Sequence, residues 1–330
     1  MKICMATNTY LPHVGGVARS VNQFTEDLRS LGHEVLVLAP HFEGDSTEER
    51  AGVLRLPAIQ NFNGSDFSVH IPLPFLIENE IDYFSPDIVH SHHPFLLGNT
   101  ALRIARKKNL PLVFTHHTLY EQYTHYVPLD SDTLRKFVIS LATLYANFCN
   151  RVIAPSQSIA RLIQSRGVQR PVEEIPTGVD IDFFAGGSKT RFRKEHRLPE
   201  KGLIIGHLGR LAPEKNLNFL CRAVITYLRR NSNAFFLVVG EGPGQDSISR
   251  LSEESGVFDR VLLVGKKTGQ ELCDAYQAMD LFVFASKSET QGMVLTEAMA
   301  AGKPVIALDA SGTREVVNDN QNGRLLSGDA

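Results

Sequence analysis

Short runs of apolar residues alternate along the chain with longer stretches in which apolar residues recur at helical spacing. The first series of predicted strands covers residues 3–6, 35–39, 88–90, 112–115 and 151–154, with predicted helices at residues 18–31 and 100–108. A second series covers residues 203–208, 235–239, 261–264, 281–284 and 304–307. Such alternation is typical of parallel sheets with helices on both faces, and here it occurs twice.

The length of the chain, 330 residues, is too great for one ordinary core and favours two domains. Residues 181–198 are polar and contain Gly186-Gly187, so we place the linker there and expect domains at residues 1–182 and 183–330. Two doubly wound, Rossmann-like domains bind ligands past the carboxyl ends of their strands, in a central cleft that both sheets face.

The composition limits the classes of partner and compartment. Hydrophobic residues make up 43% and charged residues 21% of the sequence, as in soluble globular proteins. The net charge is −2 and no Lys/Arg run is longer than Arg106-Lys107-Lys108, which argues against a nucleic-acid partner. The cysteines are far apart, and no stretch approaches about 18 uninterrupted apolar residues. We therefore expect a cytoplasmic protein without structural disulfides, signal peptide or membrane span.

A Gly-Arg…Lys loop follows the first strand of the second series. Arg210 offers a planar fork of hydrogen-bond donors and Lys215 a compact cation, which together suit a diphosphate. Two solvated charges on a loop would give the same pattern, so both interpretations stay open from this segment alone.

A polar loop leads from the strand at residues 281–284 into an apolar helix that is predicted to begin near Gly292. A helix start presents unpaired amides that favour an anion such as a phosphate, and a glycine lets the ligand approach the backbone closely. Glu289 and Glu297 flank this start and suit sugar hydroxyls. Simple compensation of the helix dipole is the alternative for an isolated glutamate pair. The position after a strand and near the Arg210 loop favours a ligand site.

Gly15-Gly16 forms another turn between a strand and a helix, directly after the first strand. It lacks the GxGxxG spacing of dinucleotide-binding domains. A phosphate site and a plain turn both fit it, and on its own the plain turn is favoured.

Histidines cluster at the ends of two neighbouring predicted strands. A metal site is one interpretation. No Asp or Glu stands beside them at a hydrolase spacing, so we favour one or two sugar-binding imidazoles with the rest as packing. The histidines are His90, His92, His93, His116 and His117.

As an ordered series, these motifs resemble the retaining glycosyltransferase family 4, which has the GT-B fold. The resemblance covers nearly the whole chain. Its markers are Gly15-Gly16-Val17, His117-Thr118, Ala154-Pro155-Ser156, residues 175–180, Gly209-Arg210 with Lys215, residues 239–242 and residues 289–305.

The resemblance implies a metal-independent hexosyltransferase that moves a hexose from a nucleotide-diphosphate sugar to a hydroxyl acceptor. The donor, a UDP- or GDP-sugar, is a co-substrate, and no cofactor is implied. The implied catalytic residues are His117, Arg210, Lys215 and Glu289. The implied donor-binding residues are Gly15, Gly16, Arg210, Lys215, Glu241, Glu289, Gln291, Gly292, Met293, Val294 and Glu297. In this family a phosphate oxygen of the donor is thought to take the acceptor proton, so no side-chain base is assigned.

A narrower resemblance, to the diacylglycerol glucosyltransferase branch, rests on residues 117–127 and on Gln291, where most of the family has an aromatic residue. It implies a lipid acceptor near Tyr120, Glu121 and Tyr126. Residues 77–82, however, are acidic where a membrane-docking helix would carry Lys and Arg. We therefore expect at most peripheral contact, at the inner face of the membrane.

The family normally continues for several helices beyond residue 326, so we expect a truncated C-terminal domain without the return helices. The alternatives are a nucleotide-sugar epimerase or phosphorylase of the same fold, a catalytically silent nucleotide-sugar binding module and, last, a histidine-metal hydrolase. The sequence does not predict an oligomeric state.

Overall fold

A computed structural model describes residues 1–13, 15–42, 51–59, 69–70, 75–126 and 131–328. The chain forms two compact units, Met1–Thr177 and Gly178–Ala330, which are described separately below.

The first unit contains a sheet whose neighbouring strands are all parallel, in the spatial order β3-β2-β1-β6-β7-β8-β9. Its strands are β1 (Lys2–Ala6), β2 (Glu34–Pro40), β3 (Val53–Leu56), β6 (Ile88–Ser91), β7 (Leu112–Thr115), β8 (Arg151–Ala154) and β9 (Val172–Glu174). A separate antiparallel pair comprises β4 (Ala58–Ile59) and β5 (Val69–His70). The α-helices are α1 (Gly16–Ser30), α2 (Phe75–Phe84), α3 (Leu97–Lys108), α4 (Asp132–Phe148) and α5 (Gln157–Ser165), and a 3-10 helix covers Tyr120–Tyr126.

Successive residues of β1 point into different cores, as the two-residue period of a strand requires. Cys4 and Ala6 belong to one buried cluster, whereas Ile3 and Met5 belong to another. The strand order reverses at β1, which has β2 on one side and β6 on the other. A reversal of this kind opens a crevice at the carboxyl end of the central strand.

The second unit repeats the plan with the parallel order β12-β11-β10-β13-β14-β15. Its strands are β10 (Leu203–Leu208), β11 (Ala234–Val239), β12 (Val261–Leu263), β13 (Leu281–Phe284), β14 (Val305–Leu308) and β15 (Arg324–Leu326). The helices are α6 (Ile181–Ala185), α7 (Lys189–Glu195), α8 (Leu217–Arg230), α9 (Gln245–Glu254), α10 (Gly269–Ala278) and α11 (Met293–Ala300), with 3-10 turns at Pro213–Lys215 and Phe258–Arg260. The strand order reverses at β10.

The predicted fold class, two Rossmann-like parallel-sheet domains, is confirmed. Every strand predicted from the apolar pattern forms, with ends that differ by at most one residue. Gly32 follows the first helix in a left-handed conformation (φ +83°), which glycine adopts easily. Among the described helices, none is long and apolar enough to cross a bilayer.

The expectation of a loose linker at residues 181–198 is wrong, because that stretch forms α6 and α7. Side-chain oxygens of Asp180 and Ser188 accept hydrogen bonds from the first turns of these helices. Phe184 and Phe192 are buried, and the guanidinium of Arg193 donates to the carbonyl of Ala278. Two apolar anchors and a buried arginine thus fix a segment that looks polar in the sequence.

Candidate functional site

The candidate donor site of the second unit is built on loops that follow β10 and β13, two strands that are neighbours in the sheet. The backbone after β10 lies unusually close to the backbone after β11. A Cβ on Gly240 would stand 1.9 Å from the carbonyl oxygen of Gly209, and one on Gly242 would stand 2.5 Å from that of Leu211. The Leu211 amide also donates to the carbonyl of Glu241 at 2.8 Å. Only glycines allow this approach, which fixes the start of the loop that carries Arg210.

Lys215 and Glu289 meet across the two loops. Lys215 Nζ lies 2.5 Å from Glu289 Oε1, and each side chain is 17% exposed. Burial alone would raise the pKa of Glu289, but the charge and the hydrogen bond of Lys215 outweigh burial and hold that pKa below its usual value. The site therefore keeps a carboxylate and an ammonium group side by side at one edge of the sheet.

Arg210 is held by Glu214, four residues further along the same loop. The guanidinium lies 2.5 Å from Glu214 Oε1, and the glutamate side chain is buried. Ser286 and Ser288, which follow β13, donate their hydroxyls to the backbone carbonyl of Glu214 at 3.4 and 3.3 Å. The loop after β13 thus supports the residue that orients Arg210.

Helix α11 is preceded by Gly292, which has a left-handed backbone (φ +78°) and offers no side chain to cap the first amides. Gly312 packs against the loop before this helix, where a Cβ would come within 2.6 Å of the Glu289 carbonyl oxygen. One turn into α11, the Tyr276 hydroxyl donates to Glu297 Oε2 at 2.7 Å. The helix start therefore presents backbone amides between two anchored carboxylates.

In the first unit, α1 begins at Gly16 and also lacks a side-chain cap, since Gly15 precedes it in an extended conformation. The imidazoles at the ends of β6 and β7 are buried. His92 Nδ1 lies 2.9 Å from His117 Nε2, and His90 Nε2 lies 2.7 Å from Thr115 Oγ1. This unit therefore offers hydrogen-bonding groups of a different kind from the ion pairs of the second unit.

Burial controls the charge of these imidazoles. It lowers the pKa of His90 and His116 to about 4 and that of His93 to about 3. The pKa values of His92 and His117 are also well below the usual range, first because of burial and then because of the neighbouring histidines. The cluster is neutral at pH 7. Within the described part of the chain, no group of three His, Cys, Asp or Glu side chains could hold a metal ion.

Comparison with known proteins decides the family. The model described as Glycosyltransferase Family 4 matches residues 14–183, and that described as Glycosyl transferases group 1 matches residues 188–329. The chain belongs to glycosyltransferase family 4. It is a glycosyltransferase that uses nucleotide sugars, and a hexosyltransferase.

Several similar proteins align with almost the whole of this chain. A GDP-mannose-dependent alpha-mannosyltransferase of Mycobacterium tuberculosis is 31% identical over 99% of this chain and 84% of its own length. An alpha-monoglucosyldiacylglycerol synthase of Acholeplasma laidlawii is 28% identical over 98% and 84%, respectively. The crystal structure of Anabaena HepE in complex with UDP and glucose shares the fold, with a TM-score of 0.79, 22% identity and coverage of 99% and 86%.

The family 4 structure places the predicted residues in both units. In the second unit, Lys215 contacts Glu289 just before α11, residues 291–294 span the start of that helix, and Glu297 follows one turn on. Arg210 pairs with Glu214 on the loop that also carries Lys215, and the Glu241 carboxylate accepts a hydrogen bond from the Lys266 amide at 3.3 Å. Gly15, Gly16 and His117 belong to the first unit.

The residues predicted for the acceptor of this family 4 enzyme also lie in the first unit. Glu121 is buried in an ion pair with Arg166 at 2.6 Å, and the ring of Tyr120 packs against Phe95 and His116. Tyr126 ends the 3-10 helix, and its side chain lies outside the described part of the structure.

Three residues near the candidate donor site were not predicted from the sequence. Glu214 orients Arg210, and its only sequence signal is the spacing of four residues. Tyr276 holds Glu297 from α10. His207 is fully buried on β10, its Nδ1 lies 3.2 Å from the Val283 carbonyl oxygen, and burial lowers its pKa to about 4. Lys215 lowers and Glu289 raises the pKa of His207, each by a smaller amount than burial lowers it. No sequence motif predicts this position.

Proposed function

We propose that this chain transfers a hexose, with retention of configuration and without a metal ion, from a nucleotide-diphosphate sugar to the hydroxyl of a glycolipid precursor such as diacylglycerol. The observation that carries the proposal is the Lys215–Glu289 pair at the start of α11, beside Arg210.

The diphosphate of the donor is the group that this arrangement suits best. Two cations and the uncapped amides of a helix start offer complementary charge in a partly buried place, where electrostatic attraction is stronger than in water. Arg210 and Lys215 are both pre-oriented by carboxylates, so little reorganisation is needed when phosphate oxygens arrive. These cations take the role that a divalent ion has in other sugar transferases.

The two carboxylates suit the two sugars of the donor, the hexose and the ribose. Glu289 stays ionised at neutral pH because of Lys215 and can accept hydrogen bonds from hexose hydroxyls. Glu297 is fixed by Tyr276 and can accept from both hydroxyls of the ribose.

The chemical step that we propose is the one implied by the family resemblance. The bond between the anomeric carbon and the diphosphate oxygen breaks, and the acceptor oxygen bonds to the same face of that carbon. The leaving diphosphate accepts the acceptor proton, and its developing charge is stabilised by Arg210 and Lys215. The resemblance implies that His117, whose imidazole is neutral, contacts the sugar near the reacting carbon, and that no side-chain base takes part.

The lipid acceptor is supported by two lines of reasoning. Gln291 stands where most of the family has an aromatic residue, as in the diacylglycerol branch that the sequence resembles. The A. laidlawii relative is named for the same class of acceptor. The M. tuberculosis relative, named for GDP-mannose, makes mannosyl transfer the second candidate.

A donor and acceptor screen tests the proposal. Purified protein is incubated with UDP-glucose or GDP-mannose, with and without diacylglycerol, in the presence and absence of EDTA. We expect a lipid-soluble hexoside in EDTA whose anomeric configuration, read by NMR coupling constants, is that of the donor. Inverted product, loss of turnover in EDTA, or donor hydrolysis with no lipid product would contradict the corresponding part of the proposal.

A further inference from the structure

Helix α4 of the first unit carries a continuous apolar stripe on its outer face. Phe137, Leu144 and Phe148 are 57%, 51% and 45% exposed, and Leu134 and Leu141 between them are half-buried. Their spacing alternates between three and four residues, which places all five on one side of the helix. From Leu134 to Phe148 the stripe is about 21 Å long at about 1.5 Å per residue.

The face of α4 next to the stripe holds the helix in the fold. Ala142, Tyr145 and Ala146 are buried there, and the Tyr145 hydroxyl donates to the carbonyl of Gly98 at 2.8 Å. The stripe is therefore not needed to anchor the helix. Single exposed apolar residues are ordinary, but a contiguous stripe of large ones on one helix usually marks a contact surface.

Cations frame this stripe. The Arg106 guanidinium of α3 lies over the Phe148 ring, 4.8 Å from its centroid, and Lys136 is exposed one residue before Phe137. Neither forms an ion pair with any residue in the described ranges. The carboxylate of Asp132, by contrast, lies 3.5 Å from Arg135.

The acidic residues of the neighbouring helix α2 do not offset this charge. Glu78 lies 3.0 Å from Lys107, and Asp82 pairs with Lys108, which holds the pKa of Asp82 below its usual value. These carboxylates are thus matched with lysines of α3. Two of the three carboxylates in the acidic stretch that argued against membrane contact are thus paired, whereas Glu80 is exposed and has no ion pair among the described residues, and α4 is a different surface.

We propose that the α4 stripe docks on an anionic lipid bilayer, with its phenylalanines and leucines below the headgroups and Arg106 and Lys136 among the phosphates. An amphipathic helix with large apolar residues and flanking cations is suited to this interface. A second copy of the chain fits less well, because pairing two such faces would bring cations against cations. The proposal rests on the proposed function for its biological purpose, since the bilayer would hold the lipid acceptor.

Vesicle binding tests the proposal without any enzymatic turnover. Wild type and a Phe137→Gln, Leu144→Gln variant are sedimented with phosphatidylglycerol or phosphatidylcholine vesicles at low and high salt. We expect wild type to bind the anionic vesicles and the variant to bind them at least about tenfold more weakly. An Arg106→Glu, Lys136→Glu variant should bind weakly and lose most of the salt dependence.

Matched controls separate this surface from general stickiness. Tyr83 on α2 is 90% exposed and Phe258 in the second unit is 51% exposed, so Tyr83→Gln and Phe258→Gln remove comparable apolar groups elsewhere. Both should bind vesicles like wild type. Circular dichroism checks that each variant is folded, and unchanged affinity for UDP or GDP checks that the second unit is intact.

Three results would overturn the docking proposal: no binding of wild type to anionic vesicles, equal binding of the α4 variant, or equal loss in the controls. A wild-type dimer that the α4 variant converts to monomer, with no vesicle binding by either, would assign the stripe to a second copy instead. Because vesicle binding uses no donor, failure of the proposed sugar transfer would leave this test intact.

Discussion

Each unit contains its own parallel sheet, and in each the strand order reverses at a central strand. The side chains at the strand ends nevertheless differ in charge between the two units. In the first unit, β6 and β7 end in buried imidazoles, of which His92 and His117 bond to each other. In the second unit, the segments after β10 and β13 meet in a Lys215–Glu289 ion pair. The same backbone plan thus produces one neutral polar surface and one charged surface.

The difference follows from what burial does to each kind of group. An isolated imidazole loses its charge when it is buried, so the first unit offers neutral donors and acceptors that suit hydroxyl groups. A carboxylate beside an ammonium group keeps its charge, so the second unit suits an anion. This difference supports our proposal that the diphosphate binds to the second unit, and it does so without reference to the family.

The largest effect that we expect is a loss of folding stability at acidic pH, mainly in the first unit. Between pH 6.5 and about 4, an unfolded histidine binds a proton that its folded, buried counterpart does not, so stability is lost as the pH falls. Each such histidine contributes up to about 1.4 kcal/mol per pH unit, and the first unit has a cluster of them. Hydrogen exchange of peptides from each unit, corrected for its intrinsic pH dependence, measures this.

The second unit is the internal control for acid, since its fully buried histidine in the described ranges is His207 alone. We expect the first unit to lose protection between pH 6.5 and 5 while the second keeps most of it. Equal loss in both units would show that the histidine cluster does not set the acid sensitivity.

Removal of the two cations should have the next largest effect. In an Arg210→Ala, Lys215→Ala variant, Glu214 and Glu289 lose these cationic partners, and their carboxylates repel a diphosphate. We expect kcat/KM to fall about 1,000-fold or more, with weaker UDP and GDP binding by calorimetry. Arg222→Ala on the exposed side of α8 is the matched control. Donor affinity equal to wild type in the double variant would refute the site assignment.

Glu289→Gln separates charge from hydrogen bonding at the same position. The amide keeps the shape but releases Lys215 and loses acceptor strength, so we expect kcat to fall about 100-fold. Nucleotide affinity should change less, because Lys215 then has no competing carboxylate. Steady-state kinetics with the preferred donor measures both, and a fall in affinity with unchanged kcat would contradict a role at the sugar.

Of these variants, Tyr276→Phe should have the smallest effect on the kinetics of sugar transfer. It removes the hydroxyl that fixes Glu297 but leaves the ring in its packing, so donor KM should rise about tenfold or less with little change in kcat. Tyr227→Phe, at an exposed tyrosine of the same unit, is the control. An unchanged KM would mean that Glu297 needs no orientation from α10.

The sequence predicts the sheets and the loops because apolar runs of strand length are local signals. It also points to Arg210, Lys215 and Glu289 as chemically suitable residues. It does not predict that Lys215 and Glu289 touch, since they are 74 positions apart and meet only through the adjacency of β10 and β13.

The other features that the sequence did not predict also depend on contacts between distant parts of the chain. His207 lies on β10 and becomes distinctive only because the folded unit buries it within the electrostatic reach of Lys215 and Glu289. Helices α6 and α7 are short and largely polar, so their helical spacing is weak, and Phe184 and Phe192 stabilise them by contacts with distant parts of the unit. Tertiary contacts of single side chains, rather than local patterns, decided these features.

The most direct test of the central claim is a hydrogen-exchange footprint of UDP and GDP on the wild-type protein. If the nucleotide diphosphate binds at the start of α11, amides in residues 209–216 and 289–294 should exchange more slowly at saturating nucleotide. Unchanged exchange in both segments, or protection confined to the first unit, would contradict the account.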